Sequence, residues 1–344
     1  MNKIIQEDLK FITKQKLPWG KLKNKAVFIS GAGGFLGSYI VYTLLYLNQK
    51  KKLNINILAN VRDYKRAKDK FGEQKGLDYC VGDINEIFSS RVPIDYIIHT
   101  ASLASPKYFE PLPVQTILPN IIGTNNLLEI ARERLVEKFL FVSTSGVLGF
   151  HPPEDYPLFE DDWGVLDPTD EANCYLEAKR MGEALCIAYK NQYQVPVVIA
   201  RPGGFYGPGL KLDDGRVFAD LIANIVRKED LVLYSDGQAI RDYLYITDVI
   251  TGIFTILFKG EIGSAYNVTS TTEINILDLA KKLAYEVFPE LGLKVVIKED
   301  STKNFLRVKF QKTSMGNDAL KRLGWMEHFY IEDGFRRTVK SWTK

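Results

Sequence analysis

The chain has 344 residues, 46% of them hydrophobic and 25% charged, which fits a soluble globular protein of one large domain or two closely joined ones. A net charge of +3 is too small to imply nucleic-acid binding, and the lysines at 50–52 read as a solvated helix end. Three cysteines without CxxC spacing do not build a disulfide framework, and three histidines without ligand spacing give no metal site.

Residues 1–24 read as an N-terminal extension. Ile4, Ile5, Leu9 and Ile12 recur at helical spacing until Pro18-Trp19-Gly20 breaks the pattern. This is a short docked helix. The acids near Met1 and the lack of an apolar core argue against a signal segment, and no apolar run reaches membrane-spanning length. Reduced thiols and a cytoplasmic location are the expectation.

From Lys25 onward strands alternate with helices. Strands are expected at Ala26 to Ser30, Asn54 to Asn60, Asp78 to Val81, Asp95 to Thr100, Lys138 to Ser143 and Val195 to Ala200. Helices are expected to start near Phe35, Lys65, Pro119 and Cys174. Continuous apolar strands separated by helices imply a parallel sheet covered on both faces. That is a doubly wound α/β fold of Rossmann type, with its ligand at the carboxyl ends of the strands.

From Gly203 the texture changes. Helices near Val217 to Arg227, Ile276 to Val287 and Ile331 to Trp342 mix with short strands at Leu231 to Tyr234 and Val295 to Ile297. The expected division is a dinucleotide domain, 25–202, with a segment near 240–270 returning to it. A smaller C-terminal α/β substrate domain takes 203–239 and 271–344.

The turn Gly31-Ala-Gly-Gly34-Phe35-Leu36-Gly37 lies between the first strand and its helix. Gly31 permits the tight turn, Gly34 lets the backbone approach a pyrophosphate, and Gly37 lets helix pack on strand. Amides at the helix start stabilise phosphate charge. The bland alternative is a glycine-rich structural turn. An acid for the ribose hydroxyls is expected at the end of the second strand, but Ala59-Asn60 stands there, followed by Arg62. A cation can pair with a 2′-phosphate, which tilts the cofactor toward NADP. NAD, with Arg62 solvated, is the alternative. Asp83 could accept a hydrogen bond from the adenine amino group.

Tyr175 and Lys179 lie four residues apart and share a helix face. An ammonium near a phenol lowers its pKa and makes it a usable base. Thr144 at the end of the fifth strand could bond the oxygen that Tyr175 deprotonates. Backbone capping is the alternative role, assigned to Ser143 before Thr144.

Together with His99-Thr-Ala-Ser102, Asn120-x-x-Gly123-Thr124, Arg201-Pro-Gly-Gly-Phe-Tyr-Gly-Pro208, Asp214-Gly-Arg216, Gly237-Gln-x-x-Arg241-Asp242-Tyr243 and Leu323-Gly-Trp325, these residues resemble the extended short-chain dehydrogenase/reductases. The likeness covers nearly the whole chain from Lys25. It is strongest to nucleotide-sugar epimerases, dehydratases and decarboxylases. It implies catalysis by Tyr175, Lys179 and Thr144. It implies a cofactor held by the glycine turn with Phe35 and Leu36, by Arg62, by Asp83 and Ile84, by Thr100, Ala101 and Ser102, by Asn120, and by Tyr175 and Lys179. It places a nucleotide-diphosphate sugar on Ser145, Arg216, Arg241 and Arg307. An ion pair with Asp242 is the other reading of Arg241.

The same resemblance implies a homodimer built as a four-helix bundle from Pro119 to Arg132 and Tyr175 to Tyr189. Leu127, Leu128, Leu185 and Ile187 are expected to supply its apolar surface.

There are departures from the family pattern. Ser145-Gly146 stands where dehydratases and decarboxylases carry an acid after the threonine. Gly204 replaces an asparagine, and the second-strand acid is missing. The expected reaction is therefore a nucleotide-sugar 4-epimerisation. A 4-ketoreductase using NADPH comes second. A 4,6-dehydratase or UDP-glucuronate decarboxylase comes third and would need a substitute acid such as Glu160 or Asp161. A non-catalytic dinucleotide sensor has no need of the Tyr–Lys pair.

Overall fold

In the computed structural model, residues 1–86, 93–298 and 311–343 are described. The first half runs α1 (Lys3–Lys14), β1 (Ala26–Ser30), α2 (Phe35–Lys51), β2 (Asn56–Val61), α3 (Tyr64–Phe71), β3 (Leu77–Val81), β4 (Tyr96–His99), α4 (Pro113–Arg134), β5 (Lys138–Val142), α5 (Cys174–Tyr193) and β6 (Val197–Pro202). It continues through β7 (Gly204–Tyr206), α6 (Val217–Arg227), β8 (Leu231–Leu233), β9 (Ile240–Tyr245), α7 (Ile246–Lys259), β10 (Ala265–Val268), β11 (Glu273–Asn275), α8 (Ile276–Lys282), β12 (Val295–Ile297), α9 (Asp318–Arg322) and α10 (Ile331–Lys340).

The main sheet has the order β10-β6-β5-β4-β1-β2-β3, and every pairing is parallel. β1 and β4 are buried along their whole length, as strands covered on both faces must be. Successive connections leave in opposite directions between β1 and β4, so a crevice opens there at the carboxyl ends. α7 packs on β5, β6 and β10. β7, β9 and β11 form a second small sheet. β8 pairs with β12 in parallel register from Leu231 with Val295 to Leu233 with Ile297.

Several elements differ from expectation. α4 begins at Pro113, so Pro119 lies inside it instead of opening it. Around that proline Thr116 Oγ1 bonds the Leu112 carbonyl at 2.9 Å and Asn120 Nδ2 bonds the Thr116 carbonyl at 2.7 Å. The helix from Ile276 leaves regular α geometry at Leu283 and reaches Val287 as a π-helical turn. β7 and β11 are three residues long, too short to show a periodicity. Leu127 and Leu128 are fully buried in their own subunit's core, which corrects their assignment to a dimer surface. The outer faces of α4 and α5 instead expose Ile122 and Met181, with Leu185 and Ile187 half-buried.

Among the described residues no helix is long and apolar enough to cross a membrane. None of their His, Cys, Asp and Glu form a metal-holding group.

The N-terminal helix is fixed by a charge. Asp8 is fully buried. It accepts hydrogen bonds from Arg337 Nη2 at 2.7 Å, Tyr245 at 2.9 Å and Tyr39 at 3.1 Å. Burial pushes its carboxyl up, and the Arg337 charge with the three hydrogen bonds pulls it back. One carboxylate thus joins α1, α2, β9 and α10. Removing one partner of such a pair leaves an uncompensated buried charge. Arg337→Met should therefore lower the unfolding free energy by about 3 kcal/mol. Denaturant unfolding checks this, and an unchanged midpoint would contradict it.

Candidate active site

The glycine turn sits in the crevice. Gly31 has φ +65°, and a Cβ there would lie 2.7 Å from Ala101 Cα. Both the left-handed backbone and the close approach require glycine. A Cβ on Gly37 would lie 2.4 Å from the Gly31 carbonyl oxygen, so the helix can follow the turn this tightly only without a side chain. Gly34 is the N-cap of α2 and offers no side-chain cap. The first amides of that helix, including those of Phe35 and Leu36, are therefore free of a capping side chain, as an anion site needs.

Ser30 joins the two strand ends at the crevice. Its Oγ accepts from the amides of Thr100 at 3.0 Å and Ala101 at 3.1 Å, and Thr100 Oγ1 donates to the Ser30 carbonyl at 2.7 Å. His99 Nδ1 lies 2.6 Å from Ser30 Oγ and Nε2 lies 3.1 Å from Thr124 Oγ1. Burial first, then the Lys179 charge, pushes the imidazole down to about 3, so it is neutral. With Ser30 Oγ accepting two amides, we assign its proton to His99 Nδ1 and the imidazole proton to Nε2. Thr124 Oγ1 then donates to the Asn120 carbonyl at 2.7 Å, and Asn120 Nδ2 reaches Ser102 Oγ at 3.1 Å.

At the end of β2, Asn60 Nδ2 donates to the carbonyls of Cys80 and Gly82, both at 3.2 Å. Its amide ties β2 to β3. Arg62 is exposed beyond it. Asp83 Oδ1 accepts from the Asn85 amide at 2.9 Å. Ile84 is buried against α4, where a Cβ on Gly123 would meet its Cγ2 at 2.8 Å.

The reacting end brings together Tyr175, Thr144 and Arg216. Tyr175 is buried and stacks on Phe109 with centroids 4.9 Å apart and planes 13° from parallel. Burial pushes its phenol up to about 12, while a hydrogen bond from Thr144 and the charge of Arg216 pull it down. Arg216 is held by Asp214, with Nη2 to Oδ2 at 3.1 Å. That loop is strapped down by Ser105, which donates to the Asp214 carbonyl, and by Lys107, whose Nζ donates to the Asp213 carbonyl at 2.6 Å.

Two expectations are corrected here. Lys179 directs its ammonium to a backbone carbonyl and not to the phenol. Its Nζ turns inward to the Val142 carbonyl at 2.6 Å and lies 4.6 Å from the centroid of Phe141. Burial pushes that ammonium down to about 7. Sharing a helix face does not fix where a four-carbon side chain ends. The capping role also falls on Thr144, whose Oγ1 accepts from the Gly146 amide at 3.4 Å. Ser143 Oγ is buried with no partner among the described residues.

Ser145 follows Thr144 in a 3₁₀ turn that ends at Leu148. A Cβ on Gly146 would lie 2.4 Å from Leu176 Cδ2, so a side chain there would have to displace the leucine methyl. A Cβ on Gly204 would meet Tyr243 Cδ1 at 3.1 Å. Glu160 is no free acid, because its Oε1 accepts from the Asn267 amide at 2.9 Å on β10. Asp161 is exposed. Arg241 donates to its neighbour's carbonyl, that of Ile240, at 2.6 Å. Asp242 is bonded by Thr269 and is pushed by burial up to about 7. Arg307 lies outside the described residues. Phe109, Leu176 and the Ser105–Lys107 strap went unnoticed in the sequence, because each acts through a contact distant along the chain.

The sequence profile described as "NAD dependent epimerase/dehydratase family" matches residues 27–269. UDP-glucuronic acid decarboxylase 5 of Arabidopsis thaliana is 32% identical over 90% of this chain and 87% of the relative. UDP-glucuronic acid decarboxylase 1 of Danio rerio is 28% identical over 93% of this chain and 73% of its own. Among solved structures, a UDP-glucose 4-epimerase of Thermotoga maritima with UDP-glucose superposes with a TM-score of 0.77 at 22% identity, covering 92% of this chain and 98% of that one. A dTDP-glucose 4,6-dehydratase of Streptomyces venezuelae with NAD and TYD bound gives 0.77 at 22% identity, covering 92% and 96%.

If Tyr175 transfers the proton, Tyr175→Phe should cut turnover by ~10²–10⁴-fold and leave dinucleotide affinity little changed. Steady-state rates and a cofactor titration measure both. Turnover close to that of the unaltered protein would remove Tyr175 from the chemistry.

Proposed function

We propose, from the premise that the chain belongs to the NAD dependent epimerase/dehydratase family and to its nucleotide-sugar enzymes, that it is a nucleotide-sugar 4-epimerase. The observation that carries this reading is that Ser145-Gly146 supplies no acid beside Thr144, Leu176 Cδ2 lying where a Cβ on Gly146 would point. Loss of water after C4 oxidation calls for an acid to protonate the departing hydroxyl, and beside the threonine Gly146 carries no side chain, its Cβ direction meeting Leu176. Epimerisation needs only proton transfer at the C4 oxygen. Tyr175 takes the proton, Thr144 holds the same oxygen, and Arg216 stabilises the phenolate while Asp214 holds the guanidinium in place. Lys179 is a positioning residue that holds the end of β5 beneath them through the Val142 carbonyl. Ser145 beside Thr144, with Arg241 and Arg307, is assigned to the sugar diphosphate, a group that guanidinium ions match by bidentate hydrogen bonding.

A nicotinamide dinucleotide on the glycine turn supplies the hydride acceptor at C4. Gly31, Gly34 and Gly37 leave the backbone bare for its pyrophosphate. Asp83 and Ile84 fall at the adenine end, with Thr100 to Ser102 and Asn120 along the opposite wall. With Asn60 engaged by β3 and Arg62 beyond it, NADP is favoured over NAD. That feature supports a second reading, a 4-ketoreductase consuming NADPH.

The exposed Ile122 and Met181, with half-buried Leu185 and Ile187 on the second of these helices, favour a homodimer through α4 and α5. Sedimentation should give a dimer, and Met181→Glu should shift it to monomer. A monomeric unaltered protein would reject the arrangement.

Incubated with UDP-glucose and UDP-glucuronate, the enzyme should return C4 epimers without loss of water or carbon dioxide. Gly146→Glu should be destabilised and inactive through its collision with Leu176. Mass spectrometry and proton NMR identify the products. A dehydrated or decarboxylated product at full rate would place the acid elsewhere and overturn the epimerase reading.

A further inference from the structure

A cavity of about 400 Å³ opens at the amino ends of the parallel strands, opposite the crevice that holds Tyr175 and the glycine turn. Its walls come from three parts of the chain. Lys21 arrives from the turn between α1 and β1, Tyr96 opens β4, and Glu137 and Lys138 stand where β5 begins. Leu257 and Phe258, in the last turn of α7, supply apolar surface. The volume falls within the range of small-molecule sites, about 300–1,000 Å³. None of these residues belongs to the motifs of the catalytic crevice.

Two ammonium groups meet at the end of α7. Lys21 Nζ donates to the Phe258 carbonyl at 3.3 Å, and Lys138 Nζ donates to the Gly260 carbonyl at 3.2 Å. Capping the last carbonyls of a helix is ordinary work for lysine. It uses one of the three donors on each ammonium. The two carbonyls are close along the chain, so the two charges are brought together. Burial, and then the Lys21 charge, push the Lys138 ammonium below the usual lysine range. An anion that accepts from both lysines removes that repulsion. Trp19 fixes this end of the N-terminal extension, packing edge-on against Phe254 and Phe258 with centroids 5.0 and 5.6 Å away. Lys21 is thereby held beside α7.

The nearby acids have partners of their own. Glu137 pairs with Lys25 Nζ at 2.6 Å and accepts from the Tyr96 hydroxyl. Asp95 accepts from Lys25 Nζ at 3.1 Å and from the Ala26 amide at 2.7 Å. A carboxylate offers about four lone-pair sites, so Glu137 can still accept from a hydroxyl. One volume thus presents two cationic donors, a carboxylate acceptor and an apolar wall.

We propose that this cavity binds a small phosphomonoester that carries hydroxyl groups, a sugar phosphate in its simplest form. The phosphate accepts from Lys21 and Lys138, Glu137 and Tyr96 accept from the hydroxyls, and Leu257 and Phe258 meet the carbon skeleton. The bound molecule joins the N-terminal extension to β5 and α7, and so stabilises the folded chain from the edge opposite the chemistry. The site shares no residue with the crevice, so its ligand is independent of the reaction performed there.

The test uses the full chain and measures binding of ribose 5-phosphate, inorganic phosphate and ribose by calorimetry. Saturating NAD, NADP and UDP are present to fill the crevice. Ribose 5-phosphate should bind at one site per chain. Inorganic phosphate should bind about fivefold more weakly, the scale of one neutral hydrogen bond, and ribose should not bind. Lys138→Gln, which can keep the bond to the Gly260 carbonyl, should weaken ribose 5-phosphate by about tenfold or more, the scale of a charge-assisted hydrogen bond. Lys21→Gln should do the same, and both variants should keep the turnover of the unaltered protein. No binding of ribose 5-phosphate would overturn the proposal, as would equal affinity in the unaltered protein and both variants. Equal affinity for ribose 5-phosphate and inorganic phosphate would overturn the sugar-phosphate assignment and reduce the cavity to an adventitious ion site. Binding seen only when the nucleotides are omitted would place the phosphate in the crevice and overturn the cavity as its site.

Discussion

The hydroxyl of Ser30 is the contact on which the rest of the crevice depends. β1 and β4 are neighbours whose connections leave in opposite directions, and their ends would part where a ligand must bind. Ser30 Oγ holds them by accepting the amides of Thr100 and Ala101. Its own proton is taken by a histidine that burial keeps neutral. That pairing brings Ala101 so near Gly31 that no side chain fits between them. The tight turn, the bare start of α2 and the position of α4 all depend on it. A charged His99 would face buried neutral partners and the Lys179 ammonium, so desolvation serves the geometry here.

The chemistry at the other end of the crevice is shaped by the same principle acting on tyrosine. Burial against Phe109 raises the phenol, which suits it to giving a proton back to a ketone. Taking a proton from an alcohol requires the phenolate, and the cation that aids it is Arg216. Arg216 sits on a loop fastened by Ser105 and Lys107. The contacts that fasten the loop therefore also set the position of that cation. Leu176, beside Tyr175 on the same helix, lies where a Cβ on Gly146 would point.

The sequence made the alternation of strands and helices legible, because buried parallel strands are short apolar runs and the glycine turn has a fixed order. It also made Tyr175, Thr144 and Gly146 legible as a group, because they fall at one strand end and one helix start. It did not disclose the direction of Lys179. Spacing places a Cβ on a helix face, but the ammonium goes where a carbonyl accepts it, here Val142. Asp8 was hidden for a similar reason, since a carboxylate on an apolar helix face reads as solvated until Arg337, 329 residues away, is seen beside it.

The central claim is that hydride leaves and returns at the sugar's C4 with Tyr175 handling the proton. A nucleotide sugar deuterated at C4, turned over by the enzyme and examined by mass spectrometry and NMR, tests it directly. The account predicts a slower single turnover than for the unlabelled sugar, with deuterium retained at C4 in both epimers. A rate insensitive to the label, or deuterium lost from a product that has also lost water or carbon dioxide, would contradict it.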